Sequence, residues 1–154
     1  MVREESREHR LTGKLRKIFP IYDYMGLSVE RLGNPLSCRA PMNAANGNHF
    51  GVMHAGVLFS LAEAAAGLSV TQHHEFGAML IIAEKIIVDY SRPARTDITA
   101  TVTLEDDFLD RLRTGLAADP KYRFTIAAEL ANDAGEIVMR AACGFQLRSA
   151  RRAA

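Results

Sequence analysis

Asn48-His49-Phe50-Gly51-Val52-Met53-His54-Ala55-Gly56 runs directly into Val57 to Val70, a segment that carries one charge, Glu63. Between Phe50 and Gln72 no other side chain is charged at neutral pH, histidines counted as neutral. At about 100° per residue, Val57, Leu58, Leu61, Ala65 and Leu68 gather on one face of a helix and Glu63 falls nearly opposite. Phe59, Ser60, Ala62, Ala66 and Gly67 surround Glu63. They are mostly small or apolar, so this face is expected to be covered too, by another element or by a second subunit. A carboxylate alone in such a helix loses water and gains no local cation, which marks it as a candidate functional group. The glycine-bearing turn before it leaves amide N–H groups unpaired at the helix start, where they can hold a carbonyl oxygen as negative charge develops.

Outward from this helix the chain reads as strands. Ile98, Ala100, Val102 and Leu104 alternate with threonines, and Tyr122, Phe124, Ile126, Ala128 and Leu130 alternate with mostly polar residues. The pattern repeats from Ile137 to Leu147 after the turn Asn132-Asp133-Ala134-Gly135. Leu80 to Tyr90 is apolar on both faces, as a central strand would be, and Arg92-Pro93 follows its end. Met25 to Arg39 reads as two short strands around Gly33-Asn34-Pro35. Ser6 to Phe19 is a short amphipathic helix stopped by Pro20, and Asp106 to Asp119 is a short helix or lid. The predicted organisation is a leader helix within residues 1–24, a single domain over 25–149 and a basic tail at 150–154. The fold class is α+β, an antiparallel sheet wrapped around one long helix.

At 154 residues the chain fits one domain with a core of its own. A hydrophobic content of 48%, 24% charged residues and a formal net charge of +1 argue against nucleic acid as the main partner. Basic residues crowd both ends: Arg7, Arg10, Lys14, Arg16 and Lys17 at one, Arg148, Arg151 and Arg152 at the other, and they read as solvated faces and tails. Cys38 and Cys143 are far apart and lack metal-ligand spacing, so neither a disulfide framework nor a zinc site is expected, and a cytoplasmic location fits. No secretory signal is visible, and Val52 to Val70 is too polar for a membrane span.

Three residues carry a resemblance to a known family. Asn48, His54 and Glu63 stand six and nine residues apart, and Asp89-Tyr90-Ser91-Arg92-Pro93-Ala94 closes a strand further on. This resembles the hotdog-fold acyl-CoA thioesterases, especially the phenylacetate-pathway branch, over roughly Met25 to Leu147. The resemblance implies hydrolysis of an acyl-CoA without a cofactor. Glu63 would act as nucleophile or general base, the backbone N–H of Ala55 or Gly56 would polarise the carbonyl, Asn48 would orient water or the carboxylate, and His54 would shape the turn or contact the thioester side rather than act as base. It also implies sites shared across a homodimer or a dimer of dimers. Two departures stand out: His54-Ala55-Gly56 replaces His-Gly-Gly, and Gly67 and Ile81 occupy places where many members carry a water-positioning hydroxyl.

Other residues invite assignment. Phe50, Met53 and Phe59, with Leu109, Leu112 and Leu116, are candidates to line an acyl pocket, and Arg92 and Arg95 to bind nucleotide phosphates. His49 stands 14 residues before Glu63, the separation of the acid and histidine in dehydratases of the same fold, but the prolines of the dehydratase loop are absent. His73-His74 reads as a surface turn, and no metal is expected. A non-catalytic acyl-CoA-binding module is the alternative that Ala55 and the missing hydroxyl favour.

Overall fold

Ser6 opens the first helix by accepting the His9 amide, and α1 (Arg7–Ile18) then gives way at Pro20 to the short α2 (Pro20–Tyr24). The computed structural model describes residues 5–149; the first four residues and the predicted tail at 150–154 lie outside the described residues. The buried Thr12 hydroxyl accepts from the Val29 amide at 2.8 Å, and Arg16 Nε donates to the Leu27 carbonyl at 2.8 Å. These bonds pin the leader to the first strand.

The remaining elements follow in the predicted order: β1 (Ser28–Arg31), β2 (Leu36–Ala40), α3 (Ala55–Thr71), β3 (Leu80–Tyr90), β4 (Ile98–Val102), α4 (Phe108–Ala118), β5 (Lys121–Ala131) and β6 (Ile137–Arg148). All six strands pair antiparallel in the order β1-β2-β4-β5-β6-β3. The period-2 pattern sets which face is inside: Ile98, Ala100, Val102, Ile126, Ala128, Leu130, Cys143, Phe145 and Leu147 are all buried. The sheet wraps around α3, which buries Leu58, Leu61, Ala62, Ala65, Ala66 and Val70. This is the α+β hotdog architecture.

Three features differ from the sequence reading. First, α3 begins at Ala55 rather than Val57 because His54 caps it. Second, α4 belongs to the core and is no lid: Leu112 is buried, Phe108 meets Phe124 edge-on at 5.8 Å, and the helix packs on β5. Third, among the described residues β3 pairs only with β6 and forms an edge, although its sequence is that of an inner strand. Leu80, Ile87 and Tyr90 stand largely exposed along it.

The β3–β6 ladder carries a bulge between Ala83 and Lys85, opposite Gly144. A Cβ at Gly144 would lie 2.9 Å from the Lys85 carbonyl oxygen, a backbone atom that no rotamer change can move. Gly144→Ala is expected to destabilise the fold by about 1–3 kcal/mol. Gly13, inside α1 with open space around it, should respond oppositely, Gly13→Ala adding up to about 1 kcal/mol. Urea-unfolding midpoints check both, and a Gly144→Ala midpoint equal to wild type would refute the close-approach account.

Candidate active site

The loop before α3 is built by asparagines. Asn48 Oδ1 accepts from the amides of Phe50 at 2.9 Å and Val52 at 3.4 Å, and Gly51 closes the turn at φ +71°. Asn46, fully buried, donates through Nδ2 to the Met25 and Pro41 carbonyls, both at 2.8 Å, while its own carbonyl accepts the His54 amide at 2.8 Å. One residue thus ties the leader, the loop and the helix start together, the first two through its side chain and the last through its main-chain carbonyl. Nothing local in the polar stretch Asn43 to Gly51 distinguished Asn46 from its neighbours.

His54 is the N-cap of α3: its Nδ1 accepts from the Gly56 amide at 2.9 Å. That bond assigns the ring proton to Nε2 and commits the Nδ1 lone pair to the backbone. A Cβ at Gly56 would meet the ring at 3.1 Å, so glycine lets the imidazole lie over the helix start. With Gly56 N–H engaged, the exposed Ala55 N–H, which has no acceptor among the described residues, is the donor left for a ligand. Tyr90, at the end of β3, fixes this turn by donating to the Ala55 carbonyl at 3.1 Å.

Glu63 lies half-buried two turns into α3, beside a cavity of about 160 Å³. Tyr22, Leu27, Cys38, Gly67 and Ile81 line it as well. No cation pairs with Glu63 among the described residues. Its one recorded partner is the Tyr22 hydroxyl, which donates to Oε2 at 3.4 Å. Burial raises the Glu63 pKa, and the Tyr22 hydrogen bond partly opposes that rise. Tyr22 itself is pushed above its ordinary value by burial and then by the Glu63 charge. Burial, then the charge of Glu30, raises the Cys38 thiol to about 12; burial, then the charge of Glu63, raises Cys143 to about 11. Both thiols therefore stay protonated near neutrality, which leaves Glu63 as the proton acceptor of the cavity. Gly67 and Ile81 bring no hydroxyl; the one that reaches Glu63 comes from α2, a residue separated from it by 41 positions with no spacing signal to reveal it.

The predicted residues separate into groups. Asn48, His54, Ala55 and Gly56 cluster at the start of α3, whereas Glu63 lies further along the same helix. Eight residues separate Ala55 from Glu63 (63 − 55), a rise of about 12 Å, and helix N-terminal amides point out past the end of the helix. A single carbonyl cannot touch both within one chain. Met53 is 2% exposed and belongs to the core. Phe50 is 72% exposed, its ring 3.8 Å from that of His49 on the outside of the loop, and Phe59 is half open one turn before Glu63. Arg92 pairs with Glu136 at 3.4 Å and Arg95 is exposed; neither lines the Glu63 cavity.

A carboxylate that must be ionised to take a proton loses activity as pH falls through its pKa. Removing the Tyr22 hydrogen bond should raise that pKa further, so in Tyr22→Phe the acid limb of kcat/KM moves to higher pH. The expected loss is about two- to ten-fold on the acid side and smaller on the alkaline side. A profile that drops uniformly at all pH values would contradict this role.

The family model for DUF4442, a domain of unknown function, matches residues 15–146. No curated protein matches the chain. Among solved structures, a Pseudomonas aeruginosa protein of unknown function described as a probable thioesterase shares 29% identity at a TM-score of 0.81, covering 91% of this chain and 95% of that one. A Haemophilus influenzae thioesterase shares 15% at 0.76, covering 97% and 96%. A mutant thioesterase from P. aeruginosa shares 16% at 0.73, covering 95% and 96%. The last two likenesses concern the fold, and none singles out the phenylacetate-pathway branch. The family match runs from α1 to β6 and contains every candidate site residue, so the chain belongs to the DUF4442 family and carries the hotdog fold of these thioesterases.

Proposed function

We propose that this protein hydrolyses an acyl-CoA thioester to the free acid and coenzyme A. The observation that carries the reading is Glu63: a half-buried carboxylate without a cation among the described residues, beside a cavity, on the helix whose start offers an amide that has no acceptor among them. As general base, Glu63 takes a proton from water, whose oxygen attacks the thioester carbon. The tetrahedral oxyanion collapses, the C–S bond breaks, and the thiolate leaves and is protonated. As nucleophile, Glu63 would form an acyl anhydride that water then hydrolyses to the same products. Asn48 still has its side-chain N–H groups to orient water or the carboxylate, and Ala55 N–H receives the oxyanion.

Because Ala55 and Glu63 of one helix are too far apart, the complete site takes Glu63 from one subunit and Ala55 from another. The β3 edge supports this: an 11-residue edge strand with the apolar pattern of an inner one is suited to pair with the same strand of a second copy about a two-fold axis. The protein is therefore a homodimer, alone or as the unit of a dimer of dimers. Phe59, one turn before Glu63, and Phe50 at the loop tip would face the acyl group; their aromatic character suits an aryl or short- to medium-chain acyl. Reduced, buried Cys38 and Cys143 suit the cytoplasm, where acyl-CoA is made.

Glu63→Gln is expected to lower kcat by about two orders of magnitude or more on a panel of acyl-CoAs, followed by thiol release. It should also change stability. The pKa of Glu63 is raised in the folded chain, so its stabilising contribution is full below the unfolded pKa and is lost as pH rises through the folded one. The always-neutral glutamine keeps that contribution, so the variant should melt higher than wild type at about pH 8 and alike at about pH 4. Equal turnover of the two proteins would remove Glu63 from the chemistry.

Ala55→Pro tests the shared site. Proline suits the first position of a helix and replaces the amide proton with a ring carbon. It should lower kcat by about 10²–10³. Mixed and re-equilibrated with Glu63→Gln, it should recover about a quarter of wild-type activity, since half the dimers are then mixed and each has one intact site. No recovery in demonstrably mixed dimers would place the whole site in one chain.

A further inference from the structure

The Glu63 cavity is not closed at its far end. Leu15, Phe19, Leu68, Thr71 and Ile81 wall it and also wall a larger groove of about 690 Å³ between α1 and the start of β3. The two spaces run together along α3 in one direction, from Glu63 past Gly67 to Thr71. Phe59 lies on the opposite side of Glu63, toward the helix start. A thioester at Glu63 would accordingly have its acyl part on the Phe59 side and its thiol part in the groove.

The groove is apolar along its floor, with Leu11, Leu68 and Met79, and basic at its rim, with Arg7, Arg10 and Lys14. These three stand at i, i+3 and i+7 and share one face of α1. No acidic side chain lines the groove among the described residues. Elsewhere Arg39, Arg92, Arg111, Arg113, Arg123 and Arg140 each meet a carboxylate, while Arg16, Arg31, Arg95 and Arg148 form no ion pair among the described residues. Among the described residues no carboxylate pairs with Arg7, Arg10 or Lys14, and the recorded acceptor of Arg10 is the Glu5 carbonyl. These exposed charges, without an ion pair among the described residues, stand over a groove that leads to the candidate catalytic acid. The other face of α1 is held to β1 through Thr12 and Arg16, which gives the basic face a fixed place.

We propose that the basic face of α1 is the binding site for the phosphates of coenzyme A, with the pantetheine arm lying along the apolar groove. The distances agree. Leu15, on the shared wall, is eight residues from Arg7, about 12 Å along the helix. A pantetheine arm has about twelve chain bonds and, at about 3.6 Å per three bonds, spans about 14 Å. Guanidinium groups match phosphate oxygens by paired hydrogen bonds, and the ammonium adds a point charge. Arg92 and Arg95 lie outside this groove, so this site is distinct from the phosphate role expected of them. The proposal rests on the thioester reading for its substrate but not for its site.

The test replaces all three residues at once, Arg7→Gln, Arg10→Gln and Lys14→Gln, which removes charge and preserves helix propensity. Hydrolysis of an acyl-CoA is compared with that of the same acyl group on pantetheine, which has no phosphate, and on an acyl-carrier protein. The KM for acyl-CoA should rise about 10- to 100-fold with kcat within about two-fold, while the kinetics with acyl-pantetheine stay those of wild type. An unchanged KM for acyl-CoA, or an equal rise with acyl-pantetheine, would overturn the proposal; a rise confined to the carrier protein would overturn the choice of coenzyme A. Titration with adenosine 3′,5′-bisphosphate separates this from failure of the hydrolase reading. Binding by wild type that the triple variant loses would support the site even without turnover, and no binding by wild type would refute it.

Discussion

Burial of α3 inside the curve of the sheet is the interaction on which the rest of this molecule depends. A helix with small or apolar residues nearly all round cannot lie on a surface, because it has no polar face to give to water. Five strands pack against it, and the leader covers the flank where Tyr22, Leu15 and Phe19 meet the cavity. What remains is a half-open stripe through Phe59, Glu63 and Gly67. The one charge of the helix sits in that stripe, so the same burial that builds the core fixes where the acid can act.

The protein places this acid in a site that opposes its charge. Burial favours the neutral carboxyl, and among the described residues no cation offsets the loss of water and one long hydrogen bond from Tyr22 is the local support. A fold selected for stability alone would carry glutamine or alanine there. The start of α3 is held by more hydrogen bonds: Asn46 links three segments through its side-chain amide N–H groups and its main-chain carbonyl, His54 caps the helix, and Tyr90 anchors the Ala55 carbonyl. Rigid support around one free amide is what an oxyanion site needs, since donors that must reorganise during reaction stabilise the transition state less.

The leader joins the core to the entrance. Thr12 and Arg16 seat α1 on β1, α2 brings Tyr22 to Glu63, and the opposite face of α1 rims the groove with positive charge. Its basic residues look like an ordinary solvated face when read as sequence, because charge patterning shows which residues share a helix side but not what that side faces. The β3 strand teaches the complementary lesson. Its inner-strand pattern disagrees with its edge position in the chain, and a second copy at that edge would resolve the disagreement.

Local sequence pattern determined much. The alternation of β4, β5 and β6, the apolar run of α3 and the turn at Asn132 to Gly135 were readable, because each is a local pattern that burial or backbone geometry imposes on neighbouring residues, whereas the intervals linking Asn48, His54 and Glu63 carried meaning through the family resemblance. Only the tertiary structure decided that Tyr22 reaches Glu63, that Asn46 rather than its polar neighbours is the buried clamp, that Met53 and α4 belong to the core, that His54 spends its lone pair on Gly56, and that a basic helix borders the groove. Each of these joins residues whose separation along the chain bears no relation to their distance in space, and contacts of that kind leave no period in a sequence.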